Sequence, residues 1–557
     1  MSPDAAIVPD RQRLMAHIRE FAKRVKLSGT PEELESFRYL EAQMQSFGYK
    51  TQLIFHDAYI SLPGKASVEV DGKPLKSITH SMSVPTPAEG VTAPLVYVGE
   101  GHAADFAKVD VRGKIVLVDA IAFEDVAQLA SQHGAVGELH VTPNENLYEM
   151  CVSPVWGSPS QHTRENLPTT AICTISQADG TPLREACLAG KAPIATLVTE
   201  VDTGWRKTPI LQADLAYSDD PDAPFVLFSG HHDTWHYGVM DNGGANATML
   251  EAARLLAERK SEWKRSLRLC FWSGHSHGRY SGSAWYADEY FDELERRCLA
   301  HVNVDSTGGE GASVLTNSSV IDELRAVAAT AIRDVTGQVH LGRRHGRAAD
   351  QSFWGVGIPS MFGSLSHQPP GPVKMPVALG WWWHTPHDTE EHIDPDNLAR
   401  DTDIVLRVLR QLLSSNVVPL DYTIYAASLK NELLALAKTL GDRLEIGSLL
   451  SAVDELDAAA RSLNQAAKAA EGTEAVALDD RLRRAARLLV PLNYTFGDRF
   501  HPDSAVPHPA WPSLSGLREL AELPAGDKDT PFFQVHARRS RNLVLSTLRQ
   551  AREVLAG

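Results

Sequence analysis

The chain has 557 residues, 43 % hydrophobic and 22 % charged, a globular composition with material for about two to four domains. Its formal net charge of −16 excludes a general nucleic-acid binder, because phosphate contacts need a basic face. No apolar run reaches the length of a membrane span, and the opening "MSPDAAIVPDRQRLMAHIREFAKRV" holds no signal-type apolar core, so the expected setting is cytoplasmic and away from membranes.

Residues 11 to 48 carry the periodicity of two helices, with Ser28 or Thr30 of "SGTPEE" as cap of the second. From about 50 to 210 the texture turns to short β-rich runs such as "APLVYVGEG" and "GKIVLVDA", with one helical stretch at "FEDVAQLASQHGAVG". This predicts a separate, mostly β module. From about 223, apolar strands ("PFVLFSG", "LRLCFW", "LAHVNVD") alternate with amphipathic helices, the βαβ texture of a doubly wound α/β sheet running to about residue 415. Ala- and Leu-rich helices follow, then the Pro-rich "HPDSAVPHPAWPS" and a last helix from about 535. The five cysteines are scattered and lack a C-x-x-C pair, so they read as core thiols rather than disulfides or metal ligands.

Ligands of open α/β sheets bind beyond the carboxyl ends of the strands, so polar residues directly after apolar runs are the candidates. "VLFSGHHDTWHYGVMDNGG" puts His231 and Asp233 after a strand and Asp241 before a Gly-Gly that leads into a helix. "HVNVDSTGG" puts Asp305 after a strand, "WWWHTPHDTEEH" puts His384 after a strand-like Trp run, and "CFWSGHSHGRYSGS" supplies His275, Ser276 and His277. Imidazoles and carboxylates from several strand ends suit a zinc-type ion, with a further carboxylate orienting a histidine through its free ring N–H.

"SGHHDTWHYGVMDNGGANATMLEAARLL", "VNVDS" and "WHTPHDT" resemble the co-catalytic di-zinc aminopeptidases, specifically the glutamate carboxypeptidase and transferrin receptor branch. "VRGKIVLVDAIAFEDVAQLASQHGAVGELHVT" resembles that family's inserted protease-associated (PA) domain, and the C-terminal helices resemble its dimerisation domain. The resemblance implies a helical start of the peptidase-like domain over 1–58, a PA-like insert over 59–210, the doubly wound mixed sheet of the peptidase-like domain over 211–415, and a helical dimerisation-like domain over 416–557. It further implies that His231, Asp241 and Asp305 hold one metal, that Asp241 bridges to a second shared with His384, and that Asp233 orients His231.

The chain departs from the family at one place. Where the family has a pair of glutamates, a general base and a ligand of the second metal, alignment on Gly278 gives His275 and Ser276. Serine is a poor zinc ligand, so His275 or His277 must supply a nitrogen if the second site is to be complete. A free imidazole at 275 can instead accept a proton near neutral pH, the role expected here for His275. Arg343, Arg344 and Arg347 of "LGRRHGRAAD" are expected to recognise a substrate carboxylate by paired hydrogen bonds. Trp383 is expected to wall the pocket, and Arg279 and Tyr280 to fill the space the glutamates left.

The expected activity is that of a metal-dependent hydrolase cutting an amide bond in a small or short peptide-like, carboxylate-bearing substrate. Its expected cofactor is one or two zinc ions, with iron or manganese as alternatives, and its expected assembly is a homodimer through the C-terminal helices. Two rival readings are a single-metal enzyme of different chemistry, such as a lyase, and a receptor-like binding protein without catalysis.

Overall fold

The computed structural model describes residues 8–557, so the first seven residues of the expected 1–58 segment lie outside the described ones. Asp10 caps the helix Arg11–Phe21 by accepting from the N–H groups of Gln12 and Arg13. Of the two expected caps for the second helix, Thr30 takes the role for Pro31–Ser46, accepting from Glu33 N. Ser28 is drawn into the functional site instead.

Phe225–His231, Ser266–Trp272 and Cys298–Asp305 are apolar runs in which every residue is buried. Such runs suit parallel strands covered on both faces. Phe225–His231 pairs in parallel with Ser266–Trp272 on one side and Cys298–Asp305 on the other, and Ser360–Ser364 adds a parallel edge. Chain order and spatial order differ across these strands, so the carboxyl ends of three strands open at one place.

Two unusually long strands, Lys50–Val70 and Ile194–Leu215, pair antiparallel from Lys50 opposite Asp214 to Val70 opposite Ala195, with a register shift between Pro63 and Ala66. At one end Ile194–Leu215 pairs with Ser266–Trp272; near the other it pairs with Val91–Tyr97. Val91–Tyr97 begins a second set of parallel strands, Ile115–Val118, Gly137–Val141 and Ala171–Ile175. This insert is less purely β than its sequence texture suggests. The helix Gln177–Leu188 contains Gly180 and Pro182, which interrupt the pattern that would have marked it.

The Trp381–Trp383 run is not a strand but a series of turns. Trp382 stacks on His392 and Trp383 on His384, and the turns let these consecutive indoles each meet a histidine. Beyond the sheet, the helices Tyr422–Leu440, Gly447–Ala467, Gly472–Tyr494 and Thr530–Ala556 form the C-terminal part. It is tied to the sheet by a buried Arg265–Asp479 ion pair at 2.6 Å, and its loop returns to the insert where Ala505 N donates to Pro154 O at 2.8 Å. All five cysteines are free thiols, four of them buried. Among the described residues no helix is long and apolar enough to cross a membrane.

Candidate metal centre

His231 ends its strand with Nδ1 donating to the main-chain oxygen of Asp233 at 2.8 Å. Its Nε2 therefore presents a lone pair, 3.2 Å from Asp241 Oδ1 and 3.6 Å from Asp305 Oδ1. His384 repeats the arrangement: Nδ1 donates to Glu149 O at 2.7 Å, and Nε2 lies 3.1 Å from Asp241 Oδ2. At His275, Nδ1 donates to Asp350 Oδ2 at 2.7 Å, because a carboxylate can only accept.

Three imidazoles are thus fixed in one tautomer, with Nε2 the nitrogen left for another partner. In two of them that nitrogen faces carboxylate oxygens, and lone pairs so disposed repel unless a proton or a metal ion lies between them. His231 Nε2 and Asp241 Oδ1 are buried without a hydrogen-bond partner, a state that native interiors rarely leave unexplained. One ligand atom from each of His231, His275 and Asp305 lies within 4.8 Å of the others. Nitrogen and oxygen donors with outer hydrogen bonds fixing the rings are the donor set of a zinc-type divalent ion, so the residues present fit the group.

Without an ion between them, the carboxylates act on the rings themselves. Burial works to lower the His231 imidazole, but Asp241 and Asp305 outweigh it and hold the ring well above its usual range. At His384 burial wins over Asp241 and lowers the ring. Burial pushes Asp241 up, yet the two histidines beside it carry it well below the usual carboxylate range. Its main chain is held by Asp388, whose carboxylate accepts from Met240 N at 2.8 Å and Asp241 N at 3.0 Å and is itself pushed up to about 7 by burial.

Backbone strain gathers at the same place. Arg279, Tyr280, Ser306, Ala349 and His384 line the cavity with φ between 48° and 68°, and Asp350 beside them has φ 57°. Non-glycine residues persist there only when the surroundings hold them. Gly274, directly before His275, has φ 77°, and a Cβ there would fall 2.1 Å from Ser281 Oγ. Only glycine lets the strand turn this sharply into the His275 loop.

Several residues sit differently from the expectation. Asp233 orients His231 through its carbonyl; its carboxylate stands 3.9 Å from Nδ1. That carboxylate instead accepts from His275 N at 3.2 Å, Ser276 N at 2.8 Å and Ser28 Oγ at 2.7 Å, so it fixes the His275 loop. His277, expected as a metal ligand, is turned away: it is fully buried, with Nδ1 3.0 Å from Ser28 Oγ and its ring against Trp235. Ser276 lines the cavity with its Oγ unpartnered.

The cavity, about 270 Å³, is lined by Asp241, His275, Asp305 and His384 together with Arg279, Tyr280, Arg347 and Trp383. Phe123, Glu124 and Cys151 of the insert also line it. Arg279 is neutralised by a buried ion pair with Glu124. Arg347 has its guanidinium over Trp156 at 4.1 Å, with Nε donating to Ser504 O at 3.1 Å and Nη2 to Asp503 O at 2.7 Å. No carboxylate among the described residues pairs with it, and burial lowers it to about 10. Arg343 and Arg344, expected beside it, do not line the cavity. Arg344 stacks on Tyr494 at 4.0 Å and donates to Asn493 O at 2.6 Å, while Arg343 reaches Ser319 Oγ at 3.4 Å.

Reading the sequence missed Asp350, Asp388, Glu124 and the Glu149 carbonyl. Asp388 stands inside the quoted "WHTPHDT" and Asp350 ends "LGRRHGRAAD". A search for a second carboxylate near His384 raises Asp388; Asp350, 75 residues from His275, carries no such local signal.

Fold and donor set are those of a metallopeptidase-like protein. Residues 213–409 match peptidase family M28 and residues 91–183 the PA domain, so the chain carries an M28 peptidase domain and a PA domain. Among curated relatives, the "Probable glutamate carboxypeptidase VP8" of Zea mays is 24 % identical, covering 80 % of this chain and 73 % of its own length. "Aminopeptidase YwaD" of Bacillus subtilis is also 24 % identical, covering 71 % and 82 %. "Probable glutamate carboxypeptidase LAMP1" of Arabidopsis thaliana is 27 % identical over 49 % of this chain, and the match spans only 42 % of the Arabidopsis protein. Of solved structures, an aminopeptidase from Aneurinibacillus sp. strain AM-1 superposes with a TM-score of 0.56 at 24 % identity, covering 73 % of this chain and 94 % of the other. The Bacillus subtilis zinc aminopeptidase BSAP gives 0.56 at 21 % identity, covering 73 % and 97 %. These superpositions agree with the fold described above.

Proposed function

We propose that the chain is a metal-dependent hydrolase that cuts an amide bond in a small, carboxylate-bearing substrate. The observation that carries the reading is the pair of imidazoles, His231 and His384, whose Nδ1 protons go to main-chain carbonyls and whose Nε2 lone pairs face the two oxygens of Asp241. A divalent ion in that setting supplies Lewis acidity toward a scissile carbonyl and toward water. The residues that would hold it are His231, Asp241, Asp305 and His384. Asp233 and Asp388 fix the loops that carry them.

Substrate selection falls to the other wall. Arg347 is a half-buried cation, preoriented by two carbonyls and an indole, without a carboxylate of its own. A guanidinium so held matches a carboxylate by charge-assisted hydrogen bonds. Trp383 and Tyr280 supply apolar surface beside it. Zinc is the metal this donor set favours. Five free thiols suit a cytoplasmic setting, and exposed Phe532, Val535 and Leu543 on the helix Thr530–Ala556 suit a homodimer formed through the C-terminal helices.

The test is hydrolysis of N-acyl amino acids and short acidic peptides by the full chain, before and after chelation and after zinc is returned. Activity lost on chelation and regained with zinc is the expected result. Tight ligand binding without turnover in any metal state would favour the receptor-like reading.

A further inference from the structure

We infer that His275 is a metal ligand, not the proton acceptor that replaces the missing glutamate, an inference that rests on the metal-dependent reading above. Two observations converge on this. One ligand atom from each of His231, His275 and Asp305 falls within 4.8 Å of the others, close enough for one ion to reach all three. With Nδ1 given to Asp350, Nε2 is the nitrogen His275 has left for a cation.

Asp350 is built for the outer role. One of its oxygens takes the His275 proton; the other accepts from Ser283 Oγ at 2.7 Å, and the residue is buried. A carboxylate–histidine–metal relay of this kind fixes the tautomer and raises the basicity of the ligating nitrogen. The neighbouring position points the same way. Ser276 keeps an unpartnered oxygen, so Asp241 and His384 face a second position that lacks its carboxylate. The structure therefore concentrates donors on one ion: His231, His275 and Asp305, with Asp241 Oδ1 also 3.2 Å from His231 Nε2. A two-histidine, one-carboxylate set accepts iron, cobalt or manganese as well as zinc.

The test is Co(II) binding to the full chain after metal is stripped by chelation, followed by visible absorption and by counting paramagnetically shifted, exchangeable imidazole N–H resonances. Wild type is expected to take up one tight equivalent. His275→Ala should raise the dissociation constant at least about 10-fold, alter the absorption bands and remove one shifted N–H resonance. Asp350→Asn, which keeps the imidazole and removes its orienting partner, should weaken binding about 10- to 100-fold. Ser276→Ala should bind Co(II) as wild type does. Unchanged affinity, spectrum and resonance count in both His275→Ala and Asp350→Asn would overturn the assignment while leaving the metal-dependent reading intact. Failure of the wild type itself to bind Co(II) or zinc would overturn that reading, and the assignment with it.

Discussion

The two walls of the cavity are built by different means. Three donors of the metal wall come from strand ends of one sheet: His231 closes Phe225–His231, Asp305 closes Cys298–Asp305, and His275 follows Ser266–Trp272 after a single tight turn. The groups beside them are drawn from more parts of the chain. Glu124 belongs to the insert, Arg279 and Arg347 to loops of the peptidase domain, and the carbonyls that hold Arg347 to the C-terminal loop. The difference teaches a division of labour. A rigid sheet fixes the donors whose spacing chemistry requires, while adaptable segments carry groups that choose the substrate.

If that division is sound, substitutions on the two walls separate in kind. The largest effect is expected for His231→Ala. It should weaken metal binding by more than about 100-fold, since even outer partners of ligands are worth about 10- to 100-fold, and abolish turnover at every substrate concentration. Metal content and kcat measure it. Next comes Glu124→Gln, which leaves the buried Arg279 without its counter-charge. Breaking such a pair costs about 3–5 kcal/mol, read as a lower denaturation midpoint, with metal content retained. The smallest is Arg347→Ala, expected to raise KM for a carboxylate-bearing substrate about 10- to 100-fold, the loss of one charge-assisted contact, while leaving KM for the uncharged amide analogue little changed. Metal loss in the Arg347 variant, or a pure KM effect in the His231 variant, would break the comparison.

The legibility of the two walls differs for the same reason. His231 and Asp305 stand out in the sequence because a strand end is a local signal, visible as an apolar run that stops at a polar residue, and Asp241 because it precedes the Gly-Gly that leads into a helix. His384 was found through its motif, although the tryptophans before it form turns rather than a strand. His275 and His277 could not be told apart: only Ser276 separates them, yet one faces the cavity and the other packs against Trp235. Their fates depend on Asp350 and Ser28, which lie 75 and 249 residues away along the chain. The three arginines of "LGRRHGRAAD" read alike for a similar reason. Only contact with residues near 494 and 504 sends Arg344 to a tyrosine face and leaves Arg347 in the cavity.

The paired strands Lys50–Val70 and Ile194–Leu215 act as a structural beam. Some twenty residues at about 3.3 Å each give a two-stranded girder about 65 Å long, hydrogen-bonded nearly throughout and anchored in both sheets. The insert is carried on that girder and held a second time where Ala505 N donates to Pro154 O and Arg279 pairs with Glu124. The ladder is interrupted at the register slip between Pro63 and Ala66, where flexure costs least. Widening the cavity by moving the insert thus means straining the beam at that notch and loosening those ties together.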